Sequence, residues 1–355
     1  MNIAFVNSTR KWGGVKSWTL DVAHGLAQRG HHVRLVGRPG PFVGKALEKG
    51  LPAVGLRFGP DFNPALILKF VRMFTVQRTE LVVVNVGKDM RTAGIAAKLL
   101  GIPVVHRVGL AGDMDDTFKV RALHRWIKPR ILVPCQQIQR GLLRHLPYLE
   151  AGEITVILTG KEPSPLPPGP VHSPVRFIST SQLNADKGHR DALLALNQLK
   201  EEGHPFEYHV VGTGRIEEEL RRVAVELGLG DRVVWHGFQK DVRAILRQAD
   251  VFLLPSWREG LPNSLLEAMA EGLVCVARNV GGVGEVWPES ASALLLPEPT
   301  TPQELACALS ALLQRGPEEL LEMKTDFWSR GRDNSLDLLI TRVEEFLVNT
   351  AGGRP

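Results

Sequence analysis

The segment "DVFLLPSWREGLPNSLLEAMAEG", residues 250–272, predicts a buried strand, a turn and a helix in direct succession. Glycine and proline mark the turn, and Pro262 and Gly272 suit the first turn and the end of the helix. The helix N-terminus therefore points at the carboxyl end of the strand, where unpaired N–H groups can bind a phosphate. Two glutamates lie eight residues apart in this segment, Glu259 in the turn and Glu267 inside the helix.

The same alternation of strand and helix extends along the chain. It runs from "NIAFVN" at the start, is interrupted by a proline-rich linker at residues 161–174, and restarts with "VRFIST". This rhythm is typical of parallel sheets covered by helices on both faces. We predict an α/β fold with two Rossmann-like, doubly wound domains, residues 1–160 and 175–334, that face a central cleft.

Length and composition indicate a globular protein of two ordinary domains. The chain has 355 residues, of which 44% are hydrophobic and 23% are charged. No apolar run reaches the roughly 18 residues of a spanning helix, and we expect no signal peptide. Three widely spaced cysteines, Cys135, Cys275 and Cys307, favour neither a disulfide framework nor a zinc site. We therefore predict a cytoplasmic protein.

Charge is distributed unevenly between the two halves. Residues 1–160 hold 23 Lys and Arg against 10 Asp and Glu, whereas the remainder carries a net charge of −8. A basic face would suit nucleic acid, a phospholipid surface or a phosphorylated ligand, and the alternative is scattered, solvated charge. The segment 62–78 mixes phenylalanines with Lys and Arg. It predicts either a helix on an anionic membrane, with peripheral attachment, or a core-packing helix with a basic outer side.

The two glutamates suit hydroxyl recognition better than phosphate binding. Like charges repel, but a carboxylate can accept both hydroxyls of a vicinal diol. One glutamate would then bind a ribose and the other a sugar, with the diphosphate held at the helix N-terminus. The alternative is that Glu267 only caps or neutralises its own helix.

The segment with these two glutamates resembles the corresponding segment of the GT-B glycosyltransferases of family 4. The resemblance rests on the E-x7-E spacing, followed by "GLPNSLLEAMAEG" and "VGGVGE", and on "WGGVKSWTLDVAHGLAQRGHHVRLV" near the start. The motifs "SQLNADKGH", "VVGTGRIEEEL" and "DRVVWHGF" occur in the family's order. The resemblance implies a retaining enzyme that uses a nucleotide sugar, and a tail helix, about residues 335–350, that returns to the N-terminal domain.

The resemblance also implies roles for individual residues. Lys187 would neutralise the diphosphate leaving group, Glu259 would contact sugar hydroxyls, and Glu267 would hold the ribose. The other predicted donor-binding residues are Gly13, Gly14, Gln182, Gly212, Gly237, Phe238, Gly260, Leu261 and Asn263. Lys187 and the backbone amides at 260–264 would stabilise the leaving group without a metal. The acidic "DMDD" turn is the remaining candidate for a metal site, and it is equally well explained as a solvated turn. We therefore predict no metal and no cofactor beyond the donor.

Two positions depart from the family pattern. Gln182 stands where the family usually has an arginine, which leaves less positive charge for the diphosphate unless Arg190 or Arg215 compensates. Gly109 stands where many members have a histidine, and His106 is better explained as a buried strand residue. Asp89, in "NVGKDMRTAG", is the remaining catalytic candidate of the N-terminal domain, and an ordinary helix-capping role is the alternative.

The predicted function is transfer of a sugar from a nucleotide-sugar donor to a glycan or lipid-linked acceptor, in the synthesis of cell-envelope polysaccharide or lipopolysaccharide. A noncatalytic sugar-nucleotide-binding protein and a sugar-nucleotide epimerase on the same fold remain alternatives. A nicotinamide oxidoreductase would need G-x-G-x-x-G in its first turn, which the chain does not have. Nucleic-acid binding is disfavoured because the chain has two tyrosines and no RNP-type or zinc motif.

Overall fold

A parallel sheet forms the centre of each half of the chain. The computed structural model describes residues 1–10 and 12–353. The chain divides into a first unit, Met1–Thr159 with Leu336–Pro355, and a second unit, Gly160–Ser335. The predicted fold class is confirmed, because both sheets are parallel and connected through helices.

The first unit has seven parallel strands in the order β3-β2-β1-β4-β5-β6-β7. The inner strands are short runs of apolar residues, as expected where helices cover both faces of a sheet. The strand order reverses between β1 and β4, which creates a crevice at the carboxyl ends of these strands. The strands are β1 (Asn2–Asn7), β2 (His32–Gly37), β3 (Ala53–Gly55), β4 (Leu81–Val84), β5 (Val104–Arg107), β6 (Arg130–Val133) and β7 (Ile154–Val156).

Helices cover both faces of this sheet and form two apolar clusters with it. Each cluster contains strand side chains from one face of the sheet, because neighbouring residues of a strand point to opposite faces. The helices are α1 (Gly14–Gln28), α2 (Pro41–Glu48), α3 (Pro64–Val76), α4 (Gly87–Asp89), α5 (Ile95–Leu99), α6 (Phe118–Ile127) and α7 (Gln136–His145), and a π-helical turn spans Met90–Gly94.

The second unit has six parallel strands in the order β10-β9-β8-β11-β12-β13. Its order reverses between β8 and β11, so the second crevice lies at the carboxyl ends of these two strands. The strands are β8 (Val175–Thr180), β9 (Phe206–Val211), β10 (Val233–Gly237), β11 (Val251–Leu254), β12 (Val274–Arg278) and β13 (Leu295–Leu296). The helices are α8 (His189–Glu201), α9 (Glu217–Glu226), α10 (Arg243–Leu246), α11 (Asn263–Ala270), α12 (Pro302–Leu313) and α13 (Pro317–Asp333).

The proline-rich segment lies against the second unit rather than running free. The backbone N–H of Ser164 donates to Ala270 O at 2.7 Å, and the Trp328 indole donates to Ser164 O at 3.1 Å. The His172 backbone N–H reaches the buried carboxylate of Asp250 at 3.2 Å. These contacts give a segment without regular secondary structure a fixed path along the unit.

The C-terminal helix α14 (Leu336–Gly352) belongs to the first unit, as predicted. One face of this helix is apolar and packs in the core, where Leu339, Ile340 and Val343 are buried. Arg29, after the end of α1, forms ion pairs with Asp337 at 2.6 Å and Glu344 at 2.8 Å. The helix therefore completes the hydrophobic core of a unit whose other elements come from the start of the chain.

Helix α3, within segment 62–78, distinguishes between the two roles predicted for that segment. Its apolar residues Leu66, Phe70 and Phe74 are 5%, 0% and 1% exposed, because they pack in the core of the first unit. They are not available to a bilayer, and the alternative of a core-packing helix with a basic outer side describes α3. Among residues 1–10 and 12–353, no helix is both long enough and apolar enough to cross a membrane.

Candidate functional site

The loop after β8 places a lysine at the carboxyl edge of the second sheet. A short 3-10 turn, Ala185–Lys187, is followed by Gly188, from which α8 begins. The Lys187 ammonium lies 2.8 Å from Glu259 Oε1, and the two side chains are 20% and 13% exposed. Two residues predicted to act on one ligand are thus in direct contact, although they are far apart in the sequence.

The turn between β11 and α11 is held by its neighbours. The backbone N–H of Trp257 donates to Asp186 O at 2.9 Å, which fixes the turn beside the lysine loop. Gly260 O accepts the backbone N–H of Gly282 at 2.6 Å. Helix α11 begins at Asn263, with Pro262 at its N-cap position, one residue later than predicted. Gly272 follows the end of the helix with φ 74°, as the sequence indicates.

Glu267 contacts a lysine that the sequence did not indicate. Its Oε1 lies 3.3 Å from the ammonium of Lys161, and the two side chains are 26% and 11% exposed. The Glu267 carboxylate therefore contacts another segment of the unit rather than the N-terminus of its own helix. No motif surrounds Lys161, which is the first residue of the proline-rich linker, so spacing alone could not have identified it.

The loop after β9 meets both the end of β10 and the loop after β8, where the Leu183 N–H donates to Thr213 O at 3.0 Å. The Gly212 N–H donates to Gly237 O at 2.8 Å, which joins two predicted donor-binding residues. The Gln182 side chain accepts from the Asn184 amide at 3.2 Å, within the loop that carries Lys187. Phe238 is 63% exposed next to Gly237 and is therefore accessible to a ligand. The predicted donor residues of the second unit thus lie at the end of β10, on loops at the carboxyl edge of the same sheet, and on α11.

Arg278 is a second residue that sequence analysis missed. It ends β12, is 2% exposed, and stacks with its guanidinium 3.6 Å from the ring centroid of Trp257. Its guanidinium donates to Pro255 O, to Asp191 at 2.7 Å and to Thr300 O at 2.8 Å. The arginine therefore joins the strand before the glutamate turn to the first turn of α8. A charged residue at the end of an apolar strand is the signal that could have revealed it.

His189 is buried at the start of α8. Its Nε2 lies 2.7 Å from the Ser181 hydroxyl. Burial, assisted by the charge of Lys187, lowers the pKa of His189 to about 4. The imidazole is therefore neutral near pH 7, and it adds no positive charge where the family's arginine is replaced by Gln182.

The predicted residues of the first unit lie at the carboxyl ends of β1 and β4. Gly13 is the N-cap of α1 and Gly14 is its first residue. Asp89 is fully buried and accepts N–H groups from Ser8 at 3.0 Å and Val86 at 3.2 Å. Burial raises the pKa of Asp89 to about 7. These contacts join two loops and satisfy the alternative of helix capping, while its catalytic role stays a prediction.

His106 lies on β5, as expected from the sequence. It is 4% exposed, and burial together with nearby His124 and Arg91 lowers its pKa to about 3. The residue at the position of the family's histidine, Gly109, donates its N–H to the carboxylate of Asp113 at 3.2 Å. Asp113 thus organises the loop that follows this strand.

Two parallel α/β units, each with its sheet order reversed at an inner strand, define the GT-B class of fold. The structure of Anabaena Alr3699/HepE, solved in complex with UDP and glucose, matches it with a TM-score of 0.80 and 19% identity, over 98% of this chain and 99% of that chain. This similarity establishes the fold.

Family models match both units. The model described as "Glycosyltransferase Family 4" matches residues 12–164, and the model "Glycosyl transferases group 1" matches residues 174–315. The chain therefore belongs to the family 4 glycosyltransferases of the GT-B fold.

Curated relatives are similar over part of their length. The Escherichia coli (strain K12) protein named "Putative colanic acid biosynthesis glycosyltransferase WcaL" is 34% identical over 201 residues, which cover 54% of this chain and 49% of the relative. An Escherichia coli UDP-Gal:alpha-D-GlcNAc-diphosphoundecaprenol alpha-1,3-galactosyltransferase is 24% identical over 240 residues, 61% of this chain and 62% of the relative. The chain thus spans less than two thirds of the length of these relatives.

Proposed function

We propose that the protein is a retaining glycosyltransferase that moves a sugar from a nucleotide-sugar donor to a glycan or lipid-linked acceptor in cell-envelope polysaccharide synthesis. One observation carries this proposal: Lys187, from the loop after β8, contacts Glu259, from the turn after β11, at the switch point of the second sheet, and Glu267 lies on the helix that follows this turn. The names of the relatives support the acceptor class, since one concerns colanic acid and the other a diphosphoundecaprenol-linked sugar.

In the proposed reaction, the bond between the sugar and the diphosphate breaks through an oxocarbenium-like state. The Lys187 ammonium and the N–H groups at the start of α11 stabilise the negative charge that develops on the departing diphosphate. Glu259 keeps acceptor capacity for sugar hydroxyls, because a carboxylate accepts about four hydrogen bonds and Lys187 occupies one. Glu267 accepts the ribose diol. Retention of configuration is carried over from the family.

The donor role is tested first by calorimetry with UDP, GDP, ADP and CDP on the full chain. One of these should bind, and the matching nucleotide sugars should then release nucleotide only when a glycan or undecaprenyl-diphosphate-linked acceptor is present. Release without an acceptor would favour an epimerase or hydrolase. Binding without any turnover would favour a noncatalytic sugar-nucleotide-binding protein. Failure of all four nucleotides to bind would contradict the proposal.

Gly281→Ala should disrupt the donor site from outside it. Gly281 has φ 57°, and an added Cβ would lie 2.3 Å from Gly260 O and 2.4 Å from Glu259 O. The glutamate turn must therefore move, and displacement by about 1 Å can lower turnover by roughly 10²-fold. We expect kcat/KM for the donor to fall by about this factor. Gly230→Ala is the matched control, because nothing lies within 4 Å of its added Cβ. Wild-type kcat/KM in Gly281→Ala would disprove this account.

We further propose that the first unit contacts an anionic membrane through α6. Phe118 and Trp126 are 84% and 45% exposed on this helix. Residues 118–130 contain five Lys and Arg and no Asp or Glu. Aromatic side chains beside cations suit the interface of an anionic bilayer, where a lipid-linked acceptor would be held.

Phe118→Ser with Trp126→Ser should abolish most co-sedimentation with vesicles that contain phosphatidylglycerol. The aromatic rings supply the apolar part of the binding free energy, and the cations supply a part that salt weakens. Val225→Ser, which replaces a 72% exposed side chain of the second unit, is the control. Equal pelleting of all variants, or pelleting that does not depend on anionic lipid, would exclude this surface.

A further inference from the structure

Lys161 lies where it can control the orientation of the carboxylate that the proposed function assigns to the ribose. Its ammonium is 3.3 Å from Glu267 Oε1. We propose that Lys161 is a positioning residue: it holds the Glu267 side chain in the rotamer that accepts the two hydroxyls of a nucleoside diphosphate. The inference rests on the ribose-binding role proposed for Glu267, and it assigns no contact between Lys161 and the ligand.

The backbone of Lys161 is fixed by a second segment of the same unit. Its N–H donates to Asn334 O at 3.1 Å, and Lys161 forms an isolated parallel bridge with Ser335. The preceding residue must be small, because an added Cβ on Gly160 would lie 2.1 Å from Ser335 O and 2.7 Å from Asn334 O. The lysine side chain therefore extends toward Glu267 from an anchored position rather than from a loop that can drift.

The two partners of this ion pair differ in burial, so the lysine is the fixed partner and the glutamate is the one that a ligand can reach. Lys161 is 9% exposed, and a buried ammonium is costly unless a carboxylate or other acceptors compensate its charge. Glu267 is the more exposed partner, with 26% of its side chain accessible. A glutamate in this situation would otherwise lose rotamer freedom each time a ligand binds. Contact with a fixed lysine restricts the rotamer beforehand and leaves the other carboxylate oxygen available to hydroxyls.

The second lysine–glutamate pair of the site differs from this one. Lys187 lies on a loop at the strand ends, and its side chain is 20% exposed against 11% for Lys161. Both ammonium groups contact a glutamate, but the more exposed Lys187 can also donate to a bound diphosphate, whereas Lys161 is less accessible to a ligand. Loss of Lys187 should therefore act on turnover, and loss of Lys161 should act on nucleotide affinity.

The test measures the affinity of the nucleoside diphosphate that binds the wild-type chain. Lys161→Met should weaken it about tenfold and leave kcat at saturating nucleotide sugar within about twofold. Lys161→Arg, which keeps the charge, should recover part of the affinity. The double variant Lys161→Met with Glu267→Gln should bind no more weakly than Glu267→Gln alone, because the lysine acts only through the glutamate. Lys200→Met, which removes a lysine bonded to Leu227 O in the same unit, is the control.

The outcomes separate this inference from the proposed function. If Glu267→Gln weakens nucleotide binding but Lys161→Met does not, Lys161 does not position the glutamate. If neither variant weakens binding, the ribose role of Glu267 is wrong, and the inference falls with it. Lys161→Gln replaces Lys161→Met if the latter does not fold. Additive losses in the double variant would show that Lys161 acts on the nucleotide by another route.

Discussion

Lys187→Ala is expected to lower kcat for the nucleotide sugar by roughly 10²-fold or more, the usual effect of removing one preorganised stabiliser of developing charge. The structure adds a second consequence, because the ammonium lies 2.8 Å from Glu259. Its removal leaves that carboxylate without its cation, next to where a diphosphate would bind. Both effects reduce turnover, and single-turnover kinetics with saturating donor would measure them together.

A double variant separates the two effects. If Lys187 stabilises the leaving group directly, Lys187→Ala should lower kcat further in a Glu259→Gln background. If it only orients Glu259, the second substitution should add nothing. Arg315→Ala, which removes a surface ion pair with Glu319, serves as the control and should leave kcat unchanged. Wild-type kcat in Lys187→Ala would rule out any leaving-group role.

Glu267→Gln and Glu259→Gln are expected to differ in one calorimetric experiment. Glu267→Gln should weaken the bare nucleoside diphosphate by roughly ten- to hundredfold, since a hydrogen bond to a charged group contributes about 1.5–3 kcal/mol. Glu259→Gln should leave that affinity nearly intact and lower kcat/KM for the nucleotide sugar. The difference follows from the proposed roles, in which Glu259 contacts the sugar that the bare nucleotide lacks and Glu267 contacts the ribose.

The thermal stability of Glu267→Gln must be measured beside its nucleotide affinity, because Glu267 also forms an ion pair with Lys161. Glu267→Gln removes the carboxylate charge from a buried ammonium, so its Tm should fall as well. A lower Tm with unchanged nucleotide affinity would restrict Glu267 to a structural ion pair. Equal loss of bare-nucleotide affinity in both variants would show that the division of roles between the two glutamates is wrong.

Much of the fold could be predicted because its signals are local. The boundaries predicted for β1 and β8 are those observed, since β1 is a short apolar run between two asparagines and β8 starts directly after Pro174, where the proline-rich linker ends. The C-terminal helix carries a local signal too, because Leu336, Leu339, Ile340, Val343 and Phe346 recur at helical spacing. The short edge strands β3, β7 and β13 were not predicted, because two or three residues carry no periodicity and pair only in the context of the finished sheet.

The site was predictable only where its residues lie within motifs. Glu259 and Glu267 share one strand–turn–helix segment, and Lys187 follows a recognisable strand end. Lys161 and Arg278 reach the same region from distant segments through tertiary contacts. Helix α3 shows a second limit of sequence-based prediction. Amphipathic periodicity predicts an apolar face, but it does not tell whether that face meets a bilayer or the protein core.

The packing of α14 is delayed by the order of synthesis, because this helix is made after the whole second unit. Residues up to Thr159 emerge first, yet the core they form includes Leu339, Val343 and Leu347 from the last helix. At about 5–20 residues per second, the nascent first unit waits on the order of ten to forty seconds for that helix. During this interval the surface of α1 that it covers stays open to water. Assembly of the first unit is therefore finished only after the second unit has been synthesised, and a chain that stops near Ser335 would keep that apolar surface exposed permanently.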